Sequence, residues 1–307
     1  MFFHILFTKG FFLLPRPLLV FLLTLHMTSA RSQISMSVVP NRVVFSKATD
    51  YAEVNLTNTS PDTVTYLVNP KQYRMHQDGG FEEILSPDAG QYFASDYIMF
   101  YPRRITLAPG QTQIIELRLA NTEDLEQKEY RSHMHIRTEV KKTTGYVVTE
   151  DAHGITASLI PSLGITIPLI IRRGDLSVDV AISDVSFNDS VKPKVAFVLN
   201  RSGNMSVYGN IVVEHVSPEM KVTKVATAKG VAVYTPNRSR YITVELDRKK
   251  QVDYNHGSLR VTYDAESGDV ITVTEASLML RNDQSELRDA ESKERAELRL
   301  ASRLTEK

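Results

Sequence analysis

The sequence predicts an all-β protein made of two β-sandwiches and a charged C-terminal tail. Two observations predict the sandwiches: short segments rich in β-branched and aromatic residues follow one another along most of the chain, and turn-forming stretches such as Ser60-Pro61-Asp62 separate them. About seven such segments precede residues 172–175, and about seven follow them. About seven strands are usual for one immunoglobulin-like sandwich, so we expect two sandwiches of this class.

The charged stretch at residues 172–175 (RRGD) is the expected boundary, because the strand pattern breaks there. We therefore expect the first immunoglobulin-like domain over residues 31–174 and the second over residues 175–281. From residue 282 to residue 307, Glu, Arg, Lys, Asp and Ala dominate, and apolar residues are few. This composition predicts a charged tail that is either helical or disordered.

An apolar segment near the N-terminus predicts export. Lys9 and Arg16 precede the run LLVFLLTL, and small residues follow it up to Ala30, as a signal peptidase requires. We expect residues 1–30 to be a cleaved signal peptide. A membrane anchor is disfavoured because two prolines beside Arg16 interrupt the apolar run and leave too few residues to cross a bilayer about 30 Å thick. No stable membrane insertion is expected after cleavage.

Composition and motifs argue against several classes of function. Lys and Arg together number 36, as do Asp and Glu, so the overall charge gives no reason to expect a nucleic acid partner. The chain has no Cys, which excludes disulfides, thiolate nucleophiles and cysteine-bound metals. The common hydrolase and nucleotide-binding motifs are also absent. We expect a protein that is not an enzyme and has no cofactor.

His133 and His135 are the strongest metal-like feature of the sequence. Two histidines separated by a single residue on a strand share a face, as two metal ligands would. Arg131 and Arg137 fall on the same face, and their positive charge opposes cation binding. The favoured interpretation is a strand with Met134 and its alternate neighbours in the core and a basic, solvated opposite face. A metalloenzyme ranks third among the three functional hypotheses, after the two described below, and no metal site is expected.

Arg42 lies within the apolar strand VVPNRVVF, where a charged side chain is unusual. A buried guanidinium without a partner is costly, so this side chain must either reach solvent or meet an anion. If it meets an anion from another molecule, its fork of five donors suits a carboxylate. The residues alone leave both possibilities open.

Residues 162–171 (SLGITIPLII) form an apolar strip at an expected sheet edge. Every second residue is apolar, which places five side chains on one face of an extended strand: Leu163, Ile165, Ile167, Leu169 and Ile171. Pro161 and Pro168 cannot donate to a ladder, so the strand should not be paired fully on both sides. An exposed apolar edge is an aggregation hazard, which raises the question of what the strip is for.

Several segments resemble the PapD-like periplasmic chaperones of pilus and fimbria assembly. Residues 38–60 resemble the family's opening, in which a Pro-x-Arg-Val strand leads to a strand ending in Asn-x-Ser. Residues 100–119 are similar to its Pro-x-x-x-x-Leu-x-Pro-Gly-x-x-Gln segment, and residues 128–137 to the strand that follows. SLGITIPLII with Arg172 resembles the last strand of the family's first domain. The resemblance covers roughly residues 34–174 and is weaker beyond them.

The resemblance implies a function for the apolar strip. Family members bind pilin subunits by donor-strand complementation, in which the chaperone lends apolar side chains to a subunit that lacks a strand. A periplasmic chaperone is therefore expected, with fimbrial or pilus subunits and an outer-membrane usher as partners. The alternative is a secreted two-sandwich adhesion or ligand-binding protein in which residues 162–171 pair internally.

The resemblance also implies residue roles. Arg42 would bind the C-terminal carboxylate of the subunit, while Glu129 and Arg172 would hold the two domains at their angle. Four apolar residues would fill the subunit's groove: Leu159, Leu163, Ile165 and Ile167.

The sequence departs from the family pattern at two places. The family pairs its carboxylate-binding arginine with a lysine, and Pro168 occupies that position here. Arg173 or Arg103 would be the substitute cation. Residues 143–157, between the last two strands of the first domain, form either a loop or an additional hairpin.

Overall fold

The computed structural model describes residues 36–139, 146–151, 154–159, 164–247, 250, 252–267 and 270–280. The predicted signal peptide and the predicted tail lie outside these residues. Within the described ranges the chain forms β-strands and two short 3-10 turns (Ser95–Tyr97 and Thr122–Asp124) and no α-helix, so the all-β prediction is confirmed. In the same ranges, none of the helical turns is long and apolar enough to cross a membrane.

The first sandwich has two main sheets, with strand orders β1-β3-β9-β7 and β2-β13-β10-β4-β8. Its strands are β1 (Met36–Val39), β2 (Val43–Phe45), β3 (Tyr51–Asn58), β4 (Val64–Lys71), β5 (Tyr73–Met75), β6 (Phe81–Glu83), β7 (Ile98–Tyr101), β8 (Arg104–Leu107), β9 (Thr112–Leu119), β10 (Glu129–Thr138), β11 (Tyr146–Asp151), β12 (Gly154–Leu159) and β13 (Gly164–Arg172). Strands β5 and β6 pair as a separate hairpin, and so do β11 and β12.

The second sandwich pairs β14-β15-β18 in one sheet and β17-β16-β19-β20 in the other. Its strands are β14 (Val178–Asn188), β15 (Lys194–Gly203), β16 (Val207–Val216), β17 (Val222–Val233), β18 (Ser239–Glu245), β19 (Ser258–Ser267) and β20 (Val270–Met279). Each sandwich has its own apolar core, built from alternate residues of the strands that face each other across the two sheets.

The alternation predicted for β10 is present. Tyr130, Met134 and Ile136 point into the core of the first sandwich, and Arg131 and His133 point to the opposite face. The expectation that this opposite face is solvated is wrong at Arg131 and His133, which are 2% and 4% exposed. Both side chains are buried because the β5–β6 hairpin and the second sandwich cover this part of the sheet.

The prediction of an exposed apolar strip is wrong for most of β13. Ile167 is 2% exposed, Leu169 and Ile171 are also buried, and all three belong to the core of the first sandwich. Ile165 is partly buried against the same core. The period of two correctly gives the shared face, but the facing sheet of the same sandwich covers that face.

The edge position predicted for β13 holds for only part of the strand. Strand β13 pairs antiparallel with β10 from Gly164 to Arg172. Leu169–Ile171 also pair in parallel with β2, so this part of the strand is interior to the sheet. From Gly164 to Pro168, β10 is the neighbour of β13 among the described residues. The open edge is therefore the first half of the strand.

The segment between β10 and β13 forms the additional hairpin that was one of two expectations. Strands β11 and β12 pair from Tyr146 opposite Leu159 to Asp151 opposite Gly154. Leu159 is thus the last residue of β12 and not part of β13. Leu163 and the side chain of Leu159 lie outside what the structure describes.

We predict that Ile167→Ala lowers the free energy of unfolding by about 2–5 kcal/mol, because it leaves a cavity in the core of the first sandwich. Ile114→Ala is the matched control, since Ile114 lies on β9 and is 40% exposed; its cost should stay below about 1 kcal/mol. Urea denaturation followed by circular dichroism measures both. Equal, small effects would contradict the assignment of Ile167 to the core.

Candidate anion-binding cleft between the sandwiches

The outer face of the β2-β13-β10-β4-β8 sheet meets the second sandwich. Ile170 of β13 and Met75 of β5 form a buried apolar cluster with Ala232 and Tyr234 of the second sandwich. Partly buried Val44 and Tyr208 pack against this cluster. We call the space between this sheet face and the second sandwich the cleft. The charged side chains that line it come from strands of this sheet and from the residue just before β2.

Glu129, the first residue of β10, joins the two sandwiches. Its carboxylate accepts a hydrogen bond from Arg172 Nε (3.0 Å), from the backbone N–H of Ser206 (3.0 Å) and from Thr235 Oγ1 (3.2 Å). Arg172 Nη2 also donates to the Ser206 carbonyl oxygen at 2.9 Å. Glu129 is 3% exposed, so the pair is buried as well as hydrogen-bonded. These bonds connect β10 and β13 of the first sandwich to Ser206 and Thr235 of the second. Glu129 and Arg172 therefore lie where they would be able to hold the two domains at their angle, as the resemblance implied.

Arg42 lies in the cleft immediately before β2. Its guanidinium carbon is 4.9 Å from the centroid of the Tyr208 ring, a cation–π contact with the second sandwich. Its Nε and Nη2 atoms are buried and have no hydrogen-bond partner in the described part of the chain. Burial, followed by the nearby charge of Arg172, lowers the pKa of the Arg42 guanidinium. The group nevertheless remains charged near neutral pH, so an anion here would be strongly stabilised.

The two unpaired nitrogens of Arg42 form one edge of the guanidinium fork. Arg74 uses the same edge within this protein: its Nε and Nη2 bind the two carboxylate oxygens of Asp88 at 2.7 and 2.6 Å. A bidentate arginine–carboxylate pair of this kind is stronger and more directional than a single hydrogen bond. The free edge of Arg42 therefore matches a carboxylate in both charge and shape.

Arg131 is a second cation of the cleft and is more fully buried than Arg42. The sequence did not single it out as a site residue. Its guanidinium carbon is 4.6 Å from the Tyr234 ring centroid, and its Nη2 donates to the Tyr73 carbonyl oxygen at 3.2 Å. Its Nε and Nη1 have no partner among the described residues. Burial lowers the pKa of Arg131. No sequence signal marks this residue, because its burial depends on where the second sandwich packs.

The two cations expected to replace the family lysine have partners elsewhere. Arg173 Nη1 donates to the Ser46 carbonyl oxygen at 2.7 Å. Arg103 lies 4.8 Å above the Phe100 ring. Cations of the cleft that have buried nitrogens without a partner among the described residues include half-buried Arg42, Arg131 and Arg172, the last through its Nη1 atom.

His133 is an aromatic wall residue of the cleft. Its ring makes edge contacts with the rings of Tyr73 (5.0 Å), Phe81 (5.8 Å) and Tyr234 (6.4 Å). Burial, followed by the charge of Arg131, lowers the pKa of His133 to about 3, so the imidazole is neutral near pH 7. His135 is bonded to Thr166 instead, with 2.8 Å between Nδ1 and Oγ1. Among the described side chains, no three metal-ligating groups come together.

A cavity of about 390 Å³ opens beside these residues. It is lined by Tyr73, Phe81, His133, Thr166, Pro168 and Tyr234. Thr166 and Pro168 belong to the open-edge half of β13, so the cavity lies next to that edge. Pro168, which the resemblance placed at the family's lysine position, is therefore one of the residues that line this largely aromatic cavity.

No protein-family model matches the chain, and no curated protein sequence does so either. Similar solved structures include a chain of the CsuC–CsuE chaperone–tip adhesion subunit complex from Csu pili of Acinetobacter baumannii (TM-score 0.42, 12% identity, 78% of this chain and 97% of that chain). The Pseudomonas aeruginosa CupB2 chaperone has TM-score 0.37 at 13% identity and covers 80% of this chain and 100% of its own. A chain of the Salmonella enterica SafA pilin–SafB chaperone complex has TM-score 0.40 at 12% identity, with coverages of 82% and 99%. These similarities are distant.

We predict that Glu129→Gln destabilises the protein by about 3–5 kcal/mol, because it removes the charge that pairs with a buried guanidinium. Glu116→Gln is the control: Glu116 lies 3.5 Å from Arg118 in an exposed ion pair and should cost less than about 1 kcal/mol. Thermal and urea unfolding measure stability, and small-angle X-ray scattering measures the separation of the sandwiches. If Glu129→Gln leaves both unchanged, Glu129 does not join the two domains.

Proposed function

We propose that the protein is a periplasmic chaperone that binds fimbrial or pilus subunits by strand addition and delivers them to an outer-membrane usher. The observation that carries this proposal is the buried, unpaired Nε/Nη2 edge of Arg42. Burying these two nitrogens without a hydrogen-bond partner among the described residues carries a free-energy cost, which an external carboxylate would offset. The resemblance of residues 34–174 to the chaperone family supports the same assignment.

The open half of β13 supports strand addition. Strand β2 pairs in parallel with β13, with Val43 opposite Leu169. Arg42 precedes Val43 directly, so an added strand along Gly164–Pro168 would continue the line of β2 and end at Arg42. Such a strand would run parallel to β13, with its C-terminal carboxylate at the guanidinium. Backbone hydrogen bonds to the open edge would supply affinity that is largely independent of subunit sequence.

Fewer residues are proposed to fill the subunit's groove than the resemblance implied. Ile167 is a core residue in this structure, and Ile165 is partly buried, so filling a subunit groove with them would require the first sandwich to open. The groove-filling role is therefore proposed for Leu163 and Leu159, which precede β13. Two such side chains would contribute about 3–6 kcal/mol gross on burial.

The alternative of a secreted adhesion or ligand-binding protein required residues 162–171 to pair internally. Leu169–Ile171 do pair on both sides, which agrees with that alternative. The Gly164–Pro168 half and the unpaired edge of Arg42 favour the chaperone. Binding experiments with subunits separate the two proposals.

We predict that Arg42→Gln weakens subunit binding by about 10- to 100-fold, since a hydrogen bond to a charged group contributes about 1.5–3 kcal/mol. The protein is co-expressed with subunits encoded beside its own gene, and the complex recovered from the periplasm is quantified. Arg118→Gln is the control, because Arg118 stacks on Tyr51 on the opposite sheet of the first sandwich. Subunit recovery that is equal for wild type, Arg42→Gln and Arg118→Gln would rule out the carboxylate role.

A further inference from the structure

We propose that the free side of β18, in the second sandwich, binds an extended, acidic segment of another polypeptide as an added strand. This inference goes beyond the proposed function, because neither Arg42 nor β13 takes part in it. Strand β18 is the last strand of the β14-β15-β18 sheet, and among the described strands it pairs with β15 alone. We call the free side of Tyr241–Glu245 the β18 edge.

The hydrogen bonds between β15 and β18 show which backbone groups of β18 are already paired. At one end of this pair of strands, the Arg201 N–H donates to the Arg238 carbonyl oxygen at 2.7 Å. At the other end, the Leu246 N–H donates to the Pro193 carbonyl oxygen at 2.8 Å. The register between these bonds is continuous. Bonded and non-bonded residues alternate along an antiparallel pair, so the even-numbered residues of β18 bond to β15.

The odd-numbered residues of β18 point their backbone groups away from β15. The Tyr241 N–H donates to a carbonyl oxygen in the turn between β5 and β6 at 2.7 Å, and the Asp247 N–H donates to a carbonyl oxygen of β17 at 2.9 Å. Between these two bonds, the outward backbone groups of Thr243 and Glu245 have no partner in the described part of the chain. A neighbouring extended segment would pair with them.

The β18 edge lacks the features that usually protect an edge strand. Residues Tyr241–Val244 are aromatic or β-branched, the stretch Ser239–Glu245 contains no Lys and no Pro, and its pairing with β15 has no bulge. Strand β17, at the corresponding edge of the facing sheet, carries Lys224 and Lys229 and has two register shifts against β16. Of these two edges, β18 is therefore the one suited to accept a strand.

The second sandwich has a vacant strand position beside the β18 edge. Its β17-β16-β19-β20 sheet has one strand more than the β14-β15-β18 sheet. Strand β14 contacts β20, so the two sheets are aligned at that side, and β17 lies opposite the place next to β18 that no described strand fills. Ala226 and Ala228 of β17 are only partly buried, and their small side chains leave room for an added strand.

A cavity of about 640 Å³ opens at the Glu245 end of this vacant position. Its apolar lining comes from Val191, Pro193, Val225, Ala226 and Leu246. Val225 and Leu246 belong to the core of the second sandwich, so the cavity reaches the core from outside. Alternate side chains of an added strand would point towards this cavity. An aliphatic side chain there would remove apolar surface from water.

The charges around the cavity favour an acidic segment. Three lysines and two carboxylates line it: Lys192, Lys224, Lys250, Glu245 and Asp247. Lys192 and Glu245 form an exposed ion pair at 3.8 Å, and Lys194 lies opposite Glu245 on β15. These six residues carry an excess of two positive charges. They attract an Asp or Glu at the end of the segment that reaches the cavity and repel a Lys or Arg there.

The contacts at both ends of the β18 edge favour a single extended segment over the edge of a folded sheet. At one end, the turn between β5 and β6 bonds to Tyr241, and Arg240 Nη1 donates to the Ala232 carbonyl oxygen of β17 at 2.8 Å. At the other end, Asp247 bonds to β17. The gap between these contacts holds a segment of about five residues. A second copy of this chain would bring a whole sheet edge, which these contacts obstruct.

The test uses nitrogen-15 NMR of the full exported chain with short synthetic peptides. The peptides alternate Val and Thr, have blocked termini, and carry two Asp residues or two Lys residues at either end. We expect the Asp peptides to shift the Thr243 and Glu245 amide signals and to slow their hydrogen exchange, because these amides gain a partner. The Lys peptides should bind at least about 3-fold more weakly. Since the signals report on β18 itself, binding of the same peptides at β13 does not affect the result.

Two variants separate the backbone contribution from the charge contribution. Thr243→Pro removes an outward N–H and leaves the bonds to β15 in place, because an edge strand tolerates proline where the N–H faces outward. It should weaken binding of the best peptide about 3- to 10-fold, whereas the control Thr243→Ala keeps the N–H and should bind as the wild type does. Lys224→Glu should weaken binding of the Asp peptides about 2- to 5-fold. Lys229→Glu is its control, because Lys229 lies on the same strand but does not line the cavity.

Four results would overturn the inference. Slow exchange of the Thr243 and Glu245 amides in the free chain would mean that the edge is already covered, by the same chain if the protection is independent of protein concentration and by a second copy if it is not. Peptide binding that leaves both signals unmoved would place the site elsewhere. Equal binding of Asp and Lys peptides would rule out an acidic segment, and a lack of binding by every peptide at millimolar concentration would rule out strand addition at β18.

Discussion

The buried carboxylate of Glu129 is hydrogen-bonded to both sandwiches, and we propose that their arrangement depends on it. It accepts hydrogen bonds from Arg172 of the first sandwich and from Ser206 and Thr235 of the second. Burying a charged pair is costly, and we propose that this pair is kept because it fixes the relative position of the two sandwiches. Once that position is fixed, Tyr208 and Tyr234 of the second sandwich cover arginines of the first. The cleft results from this packing of the second sandwich against the first.

The positive and negative side chains that meet in the cleft are unequal in number. Arg42, Arg131 and Arg172 each have a nitrogen in the cleft without a hydrogen-bond partner in the described part of the chain, and the Glu129 carboxylate forms an ion pair with Arg172. Three positive charges and one negative charge leave an excess of two among these four residues. Buried cations are stabilised when an anion enters. The free Nε/Nη2 edge of Arg42 determines where such an anion would be held, and the parallel pairing of β2 determines the direction from which a strand would reach it.

Some of this arrangement is readable from the sequence. The period-two patterns of β10 and β13 identify which residues share a face, and a charged Arg42 in a predicted apolar strand marks a side chain that must either reach solvent or meet an anion. The sequence of a single strand does not show which other part of the protein covers each of its faces. Ile167 faces the core of its own sandwich, and Arg131 and His133 are buried because the second sandwich and the β5–β6 hairpin pack over them. These outcomes depend on contacts between residues about 60 to 100 positions apart, such as Arg131 with Tyr73 and with Thr235.

The central claim is that Arg42 keeps its guanidinium edge free for the C-terminal carboxylate of another protein. The most direct measurement is the nitrogen-15 NMR signal of the Arg42 Nε–H group during titration with a subunit that has its natural C-terminus. The account predicts that this signal shifts as the subunit binds, with the exposed Arg118 Nε–H signal unchanged. Subunit binding that leaves the Arg42 signal in place would contradict it.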